Sequence, residues 1–124
     1  MQPQFKHLAD WQQTDQLMQP ALIRLIDNLR QMLENSAWQG TYEAIEEPYP
    51  GQRLHLSRGE ERISVDLWQL CFCICLENYP HPRTQTQGVI EAKVDSSLLA
   101  DSGAVDWFAL EAKTQRVLNQ LLTA

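Results

Sequence analysis

Residues 14–36, TDQLMQPALIRLIDNLRQMLENS, constrain this chain more than any other stretch. Leu22, Leu25, Ile26, Leu29, Met32 and Leu33 recur at spacings of three and four and form one apolar stripe. Arg24, Asp27, Asn28, Gln31 and Glu34 fall on the other side. Pro20 suits the first turn of a helix, where its missing N–H costs nothing, so the main helix is predicted to begin there. Thr14–Gln19 then reads as a preceding turn or a kinked extension. Phe5, Leu8 and Trp11 read as one more amphipathic turn lying on the body. The helix should end between Asn35 and Gly40.

Beyond Gly40 the apolar period changes to two. TYEAIEE, RLHLS and RISV alternate, with Tyr42/Ala44, Leu54/Leu56 and Ile63/Val65 as the predicted inward sets. The turns PYPG and RGEE separate them, with Pro and Gly where fixed or positive φ is needed. YPHPRTQTQG reads as a polar loop, and VIEAKVD as one further strand with Ile90, Ala92 and Val94 on one face. The final segment, AVDWFALEAKTQRVLNQLL, predicts a second helix. Asp106 is its N-cap, Val105 and Leu110 its hydrophobic staple, and Trp107, Leu110, Val117, Leu118 and Leu121 its buried stripe. With 124 residues, no repeat and no linker, residues 1–124 make a single domain. The predicted class is α+β: an antiparallel sheet of three to four strands with an N-terminal and a C-terminal helix packed on it.

The stretch VDLWQLCFCICLENYPHP, residues 65–82, holds all three cysteines, Cys71, Cys73 and Cys75. Trp68, Leu70, Phe72, Ile74 and Leu76 share one parity; Gln69, the three cysteines and Glu77 share the other. This favours a strand, with a bulge or break near Leu67, where the alternation slips by one residue. A helix is the alternative, since Asp66 as N-cap and Gln69 three residues on resemble a capping box. On a strand, alternate thiols run parallel with Cα atoms about 6.5–7 Å apart and do not converge on a point. There is no C-x2-C pair for zinc, and a disulfide between such neighbours would strain the strand. Packing is therefore the favoured role of the cysteines. A metal site with His55 or His81, a soft metal held across a dimer, and a reactive thiol are the competing ones.

The 16 acidic residues outnumber the 10 basic ones, for a net charge of −6, and no run of Lys or Arg occurs. Nucleic acid and anionic membrane surfaces are thereby excluded as partners. The longest apolar run, LCFCICL, falls far short of the roughly 20 residues a membrane span needs. The N-terminal MQPQFKHLADWQQ lacks the pattern of a secretory signal, so a cytoplasmic location is expected. His7, His55 and His81 lie in three different segments, and no serine has a nucleophile-elbow context. No phosphate-binding glycine motif is present. Glu46–Glu47 and Glu60–Glu61 read as solvated turn charges rather than an acid–base pair. The expectation is no catalytic residue, no metal, no cofactor and no enzyme.

The aromatic residues are more informative. Trp38, Tyr42, Tyr49, Trp68, Phe72 and Tyr79 all lie between the first helix and the loop after the cysteine stretch. Part of this set is expected in the core and part along a partner-binding groove, where Trp and Tyr are enriched. The strings DLWQLCFCICLENY, WQGTYEAIEEPYPG and VDWFALEAKTQRVL resemble a family of short accessory proteins of cyanobacteria, the assembly chaperones of the β-carboxysome shell. That resemblance implies a cytosolic helper that binds a segment of a shell protein, and it assigns no numbered binding residue. The leading expectation is a non-enzymatic module that binds a protein or peptide segment; the alternative is a thiol-based redox or metal-binding protein using Cys71, Cys73 and Cys75. RLHLS and TYEAI carry no Lys or Pro guard, so one of them is expected to pair with a partner peptide or, as a homodimer, with itself.

Overall fold

The computed structural model describes residues 2–47, 50–82 and 89–123. Their order is β1 (Gln2–Phe5), α1 (Leu8–Glu34), β2 (Gln39–Ile45), β3 (Gly51–Arg58), β4 (Glu61–Asp66), α2 (Leu67–Cys75), β5 (Val89–Ala92), a 3-10 turn (Ser96–Leu98) and α3 (Trp107–Thr123). The class is α+β. β2, β3 and β4 form an antiparallel meander with β3 in the centre, while β1 and β5 make a separate parallel pair.

The helix opens earlier than its proline suggests. α1 runs unbroken from Leu8 through Pro20 to Glu34. Pro20 offers no N–H to the preceding turn, and packing on both sides offsets that loss: Leu17, Ala21, Leu25 and Leu29 are fully buried. Asn28, expected on the outer side, is buried too. Its amide donates to Glu111 Oε1 over 2.7 Å, while Arg24 Nε donates to Glu111 Oε2 over 2.6 Å. Gln16 meets Gly103 at the other end, so α1 and α3 lie side by side and run in the same sense.

At α3 the Asp106 carboxylate accepts from Ala109 N over 3.1 Å, as an N-cap should. Leu110, Val117, Leu118 and Leu121 are buried, but Trp107 is half exposed and so does not belong to the buried stripe.

The stretch around the cysteines is the helix α2, not a strand. Asp66 accepts from Trp68 N over 2.8 Å and caps it. Gln69 completes no capping box; its side chain accepts from the Tyr79 hydroxyl instead. Leu67, Leu70, Cys71, Cys73, Ile74 and Cys75 are all buried. Trp68, Gln69 and Phe72 are half-buried, and with Gln69 its one polar residue the helix's sequence does not separate period two from 3.6. The slip at Leu67 is thus the junction between β4 and α2 rather than a bulge.

Two further differences concern the sheet. VIEAKVD does not extend the meander: its β5 pairs with β1, a four-residue strand that ends at Phe5, a residue expected in an amphipathic turn. RLHLS, now β3, is central and not an edge. Among the described residues no helix is long and apolar enough to cross a membrane.

Candidate functional site

β2 is held by its register with β3, which pairs Gly40 with Leu56, Tyr42 with Leu54 and Ala44 with Gln52. Residues directly opposite share a face, so Gly40, Tyr42 and Ala44 lie on the side of the buried Leu54 and Leu56. The last turn of α1 meets the strand at Gly40. A Cβ there would stand 2.9 Å from Leu33 Cδ1, so a larger residue would have to displace the end of that side chain. Beside that contact lies an open hollow of about 560 Å³ with Ile26, Arg30 and Leu33 on its helical wall and Gly40 and Tyr42 on its strand wall. A second hollow of about 380 Å³ lies farther along the same helix and strand, between Leu22, Ala44, Ile45 and Trp68. Together they make a groove between α1 and β2. Gly51 lets the Trp68 indole close one end, since a Cβ at Gly51 would be 3.0 Å from Trp68 Cδ1.

The strand wall is also a sheet edge. Among the described residues β2 pairs only with β3, and Gln39 to Ala44 are exposed in succession. Tyr42 is 48% exposed and Ile26 39% exposed, and the two line the same hollow. The inward role expected for Tyr42 and Ala44 therefore holds for their direction but not their burial, because the hollows separate them from α1.

The surroundings are acidic. Glu34, Glu43 and Glu46 flank the groove, and Arg30 on its helical wall stands 3.1 Å from Asp27 and 3.7 Å from Glu34. Partial burial raises the Tyr42 hydroxyl above its ordinary pKa, so the phenol stays neutral.

The predicted aromatic set divides. Trp38 is buried and Tyr42 exposed, both at the first hollow; Trp68 is at the second. Phe72 and Tyr79 pack on each other with centroids 5.7 Å apart and a 47° tilt, away from both hollows. Tyr79 is buried. Tyr49 lies outside the described residues. Sequence reasoning missed Leu22, Ile26 and Leu33 as groove residues. The available signal was the width of the α1 stripe, which has more apolar positions than one covering layer consumes.

The cysteines are free and buried on α2. Burial pushes the Cys71 thiol far up, Cys73 up to about 11 and Cys75 up to about 12; the Lys113 cation only partly opposes this at the latter two. Such thiols stay protonated and are poor nucleophiles at neutral pH. Among the described residues no cluster of three or more His, Cys, Asp or Glu could hold a metal ion.

One chain of polar groups has the composition of a hydrolytic triad. His55 Nδ1 is 2.7 Å from Ser64 Oγ, and His55 Nε2 is 3.1 Å from Glu43 Oε1. These groups lie on the open outer face of the sheet, where β3 has ladders on both sides and neither hollow reaches His55. The chain is a cross-strand polar ladder that joins β2, β3 and β4 and orients Glu43.

No family model, curated protein or solved structure matches this chain.

Proposed function

We propose that this protein is a non-enzymatic interaction module, an assembly or accessory factor that holds a segment of a partner protein in the groove between α1 and β2. One observation carries the reading: an unguarded, exposed edge strand lies beside apolar hollows walled by Ile26, Leu33, Tyr42 and Trp68. A backbone edge gives affinity through main-chain hydrogen bonds, and a neighbouring hollow gives selectivity through side chains. The resemblance of the sequence to assembly chaperones of the β-carboxysome shell makes a shell protein the candidate partner and the cytoplasm the place of the encounter.

The test is capture of partners from native cyanobacterial lysate by the wild type and by Ile26→Asp and Tyr42→Glu variants shown to be folded. The wild type should retain a stoichiometric partner that both variants lose. If the wild type retains none, or the variants retain it equally well, the reading fails.

A further inference from the structure

Resting on that reading, we infer that the occupant of the groove is an extended segment of alternating apolar and basic residues, added to β2 as a fourth strand of the meander. The reasoning begins with the two faces of β2. Gly40, Tyr42 and Ala44 lie on the helix side with the hollows, and Thr41 and Glu43 on the outer side with His55. A strand laid along the free edge must show its own side chains alternately to these two faces. Its inward parity meets Ile26, Leu33 and Tyr42, which reward apolar side chains.

Its outward parity meets the Glu43 carboxylate, which stands across from Arg53 in the β2–β3 register but turns its oxygen to His55, 3.1 Å away. Glu43 is fixed by the His55 ring, which is itself fixed by Ser64. Glu34 and Glu46 add negative charge at the two ends of the groove. Lysine or arginine on that parity is therefore favoured by complementary potential.

The same charges decide against a second copy of this chain. Its net charge is −6, and an antiparallel pair of β2 strands would bring Glu43, Glu46 and Glu47 of both copies to one short edge. A helical occupant would leave the exposed N–H and C=O groups of β2 without partners from the ligand, whereas an added strand uses them.

The probe is an end-blocked peptide of alternating lysine and valine, as long as β2, titrated to millimolar concentration against the 15N-labelled protein. Three comparison peptides are alternating glutamate and valine, the same lysine and valine content in two blocks, and the alternating form with a central proline. The expected result is shifted resonances and slowed amide exchange along β2, at least tenfold weaker binding of each comparison peptide, and weakening by salt. Equal binding of the lysine and glutamate forms, or of the alternating and block forms, overturns the inference, as does an absence of β2 shifts at millimolar peptide. A captured partner whose binding segment is helical overturns it while leaving the broader reading intact. A concentration-dependent homodimer dissociated by Thr41→Lys overturns it in favour of self-pairing.

Discussion

The indole Nε1 of Trp38 donates to the carbonyl of Leu122 over 2.8 Å, which joins the start of the groove's strand wall to the last turn of α3. Carbonyls in the last turn of a helix have no partner within it, so the indole satisfies a group that burial would otherwise strand. The Arg58 guanidinium lies over the same ring, 4.4 Å from its centroid. Trp38 is thus a clamp, and its contribution to a groove is to hold the wall still.

Trp38→Phe keeps most of the apolar contact and removes the donor. The expected loss is about 1–3 kcal/mol of unfolding free energy, the usual cost of a buried acceptor left unsatisfied. Tyr42→Ala, on the exposed wall, should stay within about 0.5 kcal/mol of wild type. Urea unfolding of the three proteins checks both. A Tyr42 variant as destabilised as the Trp38 variant would contradict the division of labour between them.

Thr14 offers the opposite effect. Its side chain is buried on α1, and its Oγ1 has no hydrogen-bond partner among the described residues. Valine has nearly the same shape and no hydroxyl. Since a buried polar group without a partner costs about 1–3 kcal/mol, Thr14→Val is expected to raise the unfolding free energy by roughly 1 kcal/mol. Thermal unfolding measures it, and a lowered midpoint would show that the hydroxyl has a partner after all, such as a bound water.

The thiols should be silent in the folded state. Cys71, Cys73 and Cys75 are buried with raised pKa values, so a thiol reagent at neutral pH should react only as fast as the protein opens. The linkage sign follows from the same shifts. Groups whose folded pKa is raised leave stability intact below the unfolded value of 9.0 and remove it as the pH climbs through about 11 and about 12. Stability should therefore fall above pH 9. Rapid labelling of one cysteine in the native protein would revive the redox reading.

Acid should loosen the helices by a separate route. At Asp95, burial opposes ionisation, but the bonds from Lys113 at 2.7 Å and from Ser97 outweigh it and hold the carboxyl below its ordinary value. The hydrogen bond from Arg24, with further help from Asn28, does the same for Glu111. Depressed carboxylates contribute stability above their ordinary values of 3.8 and 4.5, and lose it as the pH falls below them. Asp95→Asn should flatten the acid limb of the stability profile while lowering stability at pH 7. An unchanged acid limb in that variant would mean that Asp95 does not carry this dependence.

How much of this was legible in the sequence depends on whether each element had a polar side. α1 beyond Pro20, the meander and α3 all alternate apolar with charged residues, and their faces could be read directly. Tyr42 and Trp107 show the limit of that reading: periodicity gives the direction of a side chain, not whether another element covers it. β1 was lost because QPQF is too short to show a period, and its partner β5 is remote in sequence. The groove was half visible. Its aromatic strand wall stood out, whereas Ile26 and Leu33 of the helical wall were hidden within an ordinary apolar stripe.

α2 was the hardest element, because LWQLCFCIC fits a strand as well as a helix. Its state is set by what precedes it and by what surrounds it. Asp66 ends β4 in extended conformation and gives its carboxylate to Trp68 N, so one residue closes the strand and opens the helix. Without that cap, Trp68, Phe72 and Ile74 are compatible with extending β4. Asp66→Ala is expected to cost about 0.5–2 kcal/mol, and Asp66→Ser or Asp66→Asn to recover most of it, because each restores an oxygen acceptor at the N-cap. Urea unfolding followed by far-UV circular dichroism reads stability and helix content together. If alanine is tolerated as well as serine, the cap does not decide the element, and burial among α1, α3 and the sheet alone holds α2 helical.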